Sequence, residues 1–144
     1  MTNSSQVFEE IKKLTGIPYP PIVYNVENGT IERFLQAIGD NNPQWRNNNG
    51  QLIAPPAFSL ILGFDRMIQE LNKEPSLTIL HGSTELESHL PVVVGDTITT
   101  EMCITNARER EGKTGKTLFI NFEIKCSNQR NELTSVCRQL AIIY

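Results

Sequence analysis

The apolar residues of this chain change their spacing about halfway along. In the first half they fall three and four apart. Val7, Phe8, Ile11 and Leu14 make one such stripe, and spacing near the helical repeat predicts a helix with one buried face. Ser4 or Ser5 can cap its start, and Gly16 can end it. Pro18, Pro20 and Pro21 force an extended approach to a short strand, Ile22-Val23-Tyr24-Asn25-Val26. Asn28 fits the N-cap of a second helix whose Ile31, Phe34, Leu35 and Ile38 share a face, and Gly39 suits its C-terminal end. Residues 40–56 contain Pro43, the turn-forming run Asn47-Asn48-Asn49-Gly50 and Pro55-Pro56, and they read as irregular. A third helix starts at Pro56, where a missing N–H has no helical partner to lose. Its first half, Ala57 to Phe64, is apolar nearly all round, so it must be wrapped and not merely laid on a surface.

The second half alternates. Ile98, Met102 and Ile104 interleave with Thr97, Thr99, Glu101 and Cys103. Leu118, Ile120, Phe122, Ile124 and Cys126 interleave with Phe119, Asn121, Glu123 and Lys125. A period of two predicts strands with one buried face. Thr84, Leu86 and Leu90 against Glu85, Glu87 and His89 give another strand, and Val136 to Tyr144, interrupted by Arg138, gives the last. Gly95-Asp96, Gly112 to Gly115 and Ser127 to Asn131 are the turns. The sum is an α+β chain: one central apolar helix and a curved antiparallel sheet of about five strands, with helices on one face. Residues 1–144 make a single domain, with no repeat or linker.

Composition agrees and removes several classes of function. The chain has 144 residues, 39% of them apolar, enough for one ordinary core. A net charge of −3 offers no global positive field to nucleic acid. The longest apolar run is well short of the ~20 residues a membrane span needs. The polar start, Met1-Thr2-Asn3-Ser4-Ser5, is not followed by a signal-peptide core. Cys103, Cys126 and Cys137 lack Cys-x-x-Cys spacing and read as reduced residues of a cytoplasmic protein. No His/Cys/Asp cluster has metal-ligand spacing. Gly112-Lys113-Thr114-Gly115-Lys116-Thr117 fails the phosphate-loop template, because the first glycine would fall on Arg110 or Ala107 and the context is a hairpin tip. With Arg108, Arg110, Lys113 and Lys116 that tip is basic. It is either a solvated hairpin or a contact for the phosphates of a ligand or the acidic surface of a partner protein.

The chemistry concentrates in Ala37-Ile38-Gly39-Asp40-Asn41-Asn42-Pro43-Gln44-Trp45-Arg46 and Ile53-Ala54-Pro55-Pro56-Ala57-Phe58. These segments, with Val26-Glu27, Leu80-His81-Gly82 and His89-Leu90-Pro91-Val92-Val93-Val94-Gly95-Asp96, resemble the MaoC-like family of hot-dog-fold enoyl-thioester hydratases. The family pattern runs Gly-Asp-x-Asn-Pro-x-His. The chain is similar to its N-terminal, fatty-acid-synthase-type dehydratase subgroup, which reads Gly-Asp-x-Asn-Pro-x-Tyr-Arg and Ala-Pro-Pro-x-Phe.

The resemblance implies a hot-dog domain acting on acyl thioesters of coenzyme A or acyl-carrier protein, without cofactor or metal. It implies a second hot-dog subunit, as heterodimer or homodimer, and neither nucleic acid nor membrane as partner. Hydration of an enoyl thioester needs a base, an acid and an N–H donor to the thioester oxygen. In relatives the His and Asp move the protons, and a helix-start Gly supplies the N–H. Here Asp40 and Asn42 occupy the family's catalytic positions, or hold a tight turn. The His position is Trp45, whose indole is a donor and no base. The Gly position is Pro56, which has no N–H. Two separate losses imply a subunit that shapes the acyl tunnel with Trp45, Pro55, Pro56 and Phe58 while a partner brings the His. The alternatives are an autonomous hydratase drawing a base from His81 or His89, both otherwise read as structural, an acyl-CoA thioesterase using Asp65, and a binding-only protein.

Overall fold

The structure is a computed structural model that describes residues 3–46 and 49–144. Asn47 and Asn48 of the turn-forming run, and Met1 and Thr2, lie outside the described residues. Three α-helices and seven strands follow in the order α1 (Ser4–Lys13), β1 (Ile22–Asn25), α2 (Asn28–Ile38), β2 (Ile53–Ala54), α3 (Phe64–Leu71), β3 (Ile79–Ser88), β4 (Val92–Val93), β5 (Thr97–Gly112), β6 (Gly115–Ser127) and β7 (Leu133–Ile143). Short 3₁₀ helices cover Pro43–Trp45 and Pro56–Ile61. Five strands form one antiparallel sheet in the order β1-β5-β6-β7-β3, and β2 pairs with β4 beside it. This is the α+β architecture the alternation predicts.

The caps sit one residue from where the pattern puts them. Asn3 caps α1 in a reciprocal box with Gln6, and Glu27, not Asn28, occupies the N-cap of α2 without a side-chain bond. Gly39 ends α2 in the left-handed conformation at φ 69°, as its position predicts. Arg138 does not interrupt β7. Gln139, Ala141 and Ile143 face the core, so Arg138 points to the other face, where it pairs with Glu85, Glu87 and Glu123.

The third helix differs most from expectation. Instead of one helix from Pro56, a 3₁₀ stretch ends at Ile61, and α3 begins only after Gly63, which turns the chain at φ 87°. A Cβ at Gly63 would stand 3.3 Å from Ile124 Cγ2, so the backbone runs directly against β6 at this break. The wrapping is one-sided. Phe58, Leu62 and Met67 are buried, but Ile61 and Phe64 are 43% and 39% exposed.

Candidate functional site

The loop after α2 is built by backbone demands first. Gly39 closes the helix, and Asp40 N–H returns to Leu35 O at 2.9 Å. The side chains of the next residues then serve the turn. Asp40 Oδ1 accepts from Asn42 N at 2.9 Å, and Asn42 Oδ1 accepts from Gln44 N at 3.1 Å, capping the 3₁₀ turn Pro43–Trp45. That turn delivers Trp45 back over Asp40. The indole Nε1 donates to Asp40 Oδ2 at 2.7 Å, a charge-assisted hydrogen bond. Both carboxylate oxygens of Asp40 are therefore engaged within the loop.

Trp45 borders two open cavities. One, of about 390 Å³, is lined by Glu32, Gln36, Asp40, Asn42 and Arg46 among others. The other, of about 200 Å³, is lined by Trp45, Pro55, Pro56, Ser59, Ser88 and His89 among others. So Trp45, Pro55 and Pro56 share a cleft, while Asp40 and Asn42 line the first cavity and not the second. Phe58 lines neither; it is 1% exposed and meets Phe34 edge-on, with ring centroids 5.6 Å apart. Pro56 opens a 3₁₀ helix of 6 residues. Pro56 thus offers no backbone N–H, and the short 3₁₀ turn it opens lacks the aligned dipoles of a longer helix.

The two histidines are placed apart. His81 Nε2 lies 2.7 Å from Gln139 Oε1 and 2.7 Å from Thr84 Oγ1, which itself donates to Gln139 Oε1 at 2.7 Å. An amide oxygen only accepts, so His81 Nε2 is the donor to Gln139 Oε1, which ties the ring to β7. Gln139, 3% exposed, is a site residue the sequence reading passes over. Its signal was a polar residue at a core-facing position of β7. His89 enters the 200 Å³ cleft, with Nε2 3.7 Å from Glu87 Oε2. Asp65 stands in the first turn of α3, where it accepts from the Tyr24 hydroxyl at 3.1 Å; that hydroxyl in turn accepts from Gly63 N at 3.2 Å. Burial, reinforced by the Asp65 charge, pushes the Tyr24 hydroxyl pKa above its ordinary value. Arg66 does not pair with Asp65. It bonds Glu70 at 3.0 Å and lies over the Tyr19 ring.

Comparison with known proteins places this geometry. The family model described as the FAS1-like, dehydratase domain region matches residues 13–136. A curated relative from Thermobifida fusca, a UPF0336 protein, is 28% identical over 128 residues, covering 81% of this chain and 82% of the relative. Among solved structures, the HadBC (3R)-hydroxyacyl-ACP dehydratase complex of Mycobacterium tuberculosis aligns with a TM-score of 0.73 at 20% identity, covering 90% of this chain and 96% of that one. The MaoC-like dehydratase of Rhodospirillum rubrum aligns with a TM-score of 0.65 at 17% identity, covering 90% and 92%.

Proposed function

This chain belongs to the FAS1-like dehydratase family, and from that premise we propose that it is the non-catalytic half of an acyl-thioester hydratase/dehydratase, shaping the acyl site while a second hot-dog subunit brings the imidazole. The observation that carries this reading is the 2.7 Å bond from Trp45 Nε1 to Asp40 Oδ2. A hydrogen-bond donor, not a base, occupies the position of the family's His, and it holds the one acid the motif retains. His89 lines a different cavity from Asp40, with Trp45 bordering both.

Water addition across a trans-2-enoyl thioester puts hydroxide on C3 and a proton on C2, while charge grows on the thioester oxygen. In the proposed pair, the partner's imidazole moves the protons and the partner's helix supplies the oxyanion N–H. Trp45, Pro55 and Pro56 of this chain present rigid, largely apolar walls to the acyl group. HadBC, similar in fold, is itself a complex. A matching surface exists here: β3 is hydrogen-bonded only to β7 within the described residues, leaving its outer edge open.

The test is hydration of crotonyl-CoA. The purified chain is expected to be inert, and co-expression with a hot-dog chain carrying the intact Gly-Asp-x-Asn-Pro-x-His segment is expected to restore turnover. Steady turnover by the isolated chain, lost in Asp40→Ala, would overturn the reading in favour of an autonomous hydratase. Thiol release from acyl-CoA with the double bond untouched, lost in Asp65→Asn, would instead select the thioesterase.

A further inference from the structure

The long β5–β6 hairpin carries a surface that the acyl site does not use. Four strands meet there in one cross-strand row: Arg108 opposite Phe119, Phe119 opposite Ile142, and Ile142 opposite Leu80. Directly opposite residues of an antiparallel sheet share a face. Their neighbours Leu118 and Ile143 are both 0% exposed in the core, so this row lies on the outer face. Phe119 and Ile142 are half-buried, and Leu80 at the sheet edge is 47% exposed. Leu140 widens the strip. A Cβ at Gly82 would come within 2.9 Å of its side chain, so the leucine lies flat across that glycine.

Two guanidinium groups flank the strip. Arg108 and Arg110 lie over the Phe119 ring, 5.3 and 5.6 Å from its centroid. Among the described residues neither joins an ion pair; Glu109, between them in sequence, pairs with Lys12 and Lys116 instead. The other end of the same face is acidic: Glu85, Glu87 and Glu123 surround Arg138, and Lys125 pairs with Glu123. In this hairpin Arg108, Arg110 and Lys113 join no ion pair among the described residues, against the single unpaired carboxylate of Glu111, so a chain of net charge −3 carries a local positive excess there. Stacking on a ring restrains an arginine side chain while leaving its planar donors free for carboxylates.

We propose that this face docks an acidic acyl-carrier protein, its apolar strip receiving the carrier's helix and its arginines the flanking carboxylates. The proposal rests on the subunit reading above and deepens it, since it makes a carrier-bound thioester the substrate in preference to one on free coenzyme A.

The experiment titrates fluorescently labelled holo acyl-carrier protein into the isolated chain and into the co-expressed pair. The wild type is expected to bind, with affinity falling as ionic strength rises. Arg108→Glu with Arg110→Glu is expected to weaken binding about tenfold or more, and Phe119→Ala to weaken it without changing the sign of any charge. In the pair, the double variant is expected to lower kcat/KM for a crotonyl-carrier substrate about tenfold while leaving crotonyl-CoA hydration unchanged. Failure of the chain to bind carrier protein, or equal loss on both substrates, overturns the docking proposal. A pair that binds carrier protein through the arginines yet turns over neither substrate overturns the subunit reading and leaves the docking face standing.

Discussion

Trp45 and Asp40 show how side chains build the loop after α2 from within. The turn needs Asp40 Oδ1 for Asn42 N and Asn42 Oδ1 for Gln44 N, and these demands are the same with or without chemistry. Only the second oxygen of Asp40 was available, and the Trp45 indole takes it. That Trp45 and Pro56 stand in these segments was legible in the sequence. The bond was not, because it depends on the turn that carries Trp45 back across Asp40. Trp45→Phe keeps the aromatic bulk and removes the donor. It is expected to destabilise the chain by about 1.5 kcal/mol, the low end for a hydrogen bond to a charged group because the site is partly exposed, read by urea denaturation. Trp45→His alone is expected to remain inert on crotonyl-CoA, since Pro56 still offers no N–H. Trp45→His with Pro56→Gly is expected to exceed the single variant by ~10²-fold, the contribution of a recovered oxyanion donor. No gain in the double variant would mean that other geometry of the site has been lost as well.

Among the elements, the strands were readable because alternation survives in the sequence wherever one face is buried. Leu118, Ile120, Phe122, Ile124 and Cys126 are each 0% or 1% exposed, the face their spacing predicts. Arg138 broke the pattern only if both faces of β7 were assumed apolar; it belongs to the charged outer face. The central helix was not readable in the same way. Its composition marks an element buried on several sides, but nothing in a periodicity reports that Gly63 must press against Ile124 and split the segment in two. Gly82 is the strand counterpart. The register of β3 on β7 shifts between His81 and Ser83, and a Cβ there would meet Leu140 Cγ and Cδ2 at 2.9 Å and Leu140 O at 3.2 Å. Leu140 can move its tip but not its backbone, so Gly82→Ala is expected to cost about 1–3 kcal/mol, measured by thermal unfolding. Gly82→Ala with Leu140→Ala, which clears the side chain, is expected to recover part of that loss if overpacking is the cause.

At the scale of the molecule, exposed apolar side chains stand beside the break before α3 as well as on the outer face of the sheet. Ile61 and Phe64 stand 43% and 39% exposed beside the break before α3, and Leu80 adds 47% at the open edge of β3. Between them an apolar slot of about 240 Å³ is lined by Phe64, Met67, Ile68, Ile79 and Ala141 among others. The sequence predicted that the segment from Ala57 to Phe64 is wrapped on all sides, and a single copy of the chain covers only one. A continuous apolar patch next to an unpaired strand edge is the usual mark of an interface. Burying side chains of this kind contributes roughly 1.5–3 kcal/mol each. Ile61→Asp with Phe64→Asp is therefore expected to abolish co-purification with a His-bearing hot-dog partner, and to shift the chain to a monomer in light scattering. Because both side chains are substantially exposed within one chain, the thermal transition of the isolated variant is expected to stay close to that of the wild type under monomeric conditions. Retained assembly in that variant would place the partner elsewhere on the molecule. A collapsed thermal transition would show instead that these residues belong to the chain's own core, and the one-sided wrapping seen here would no longer argue for a second subunit.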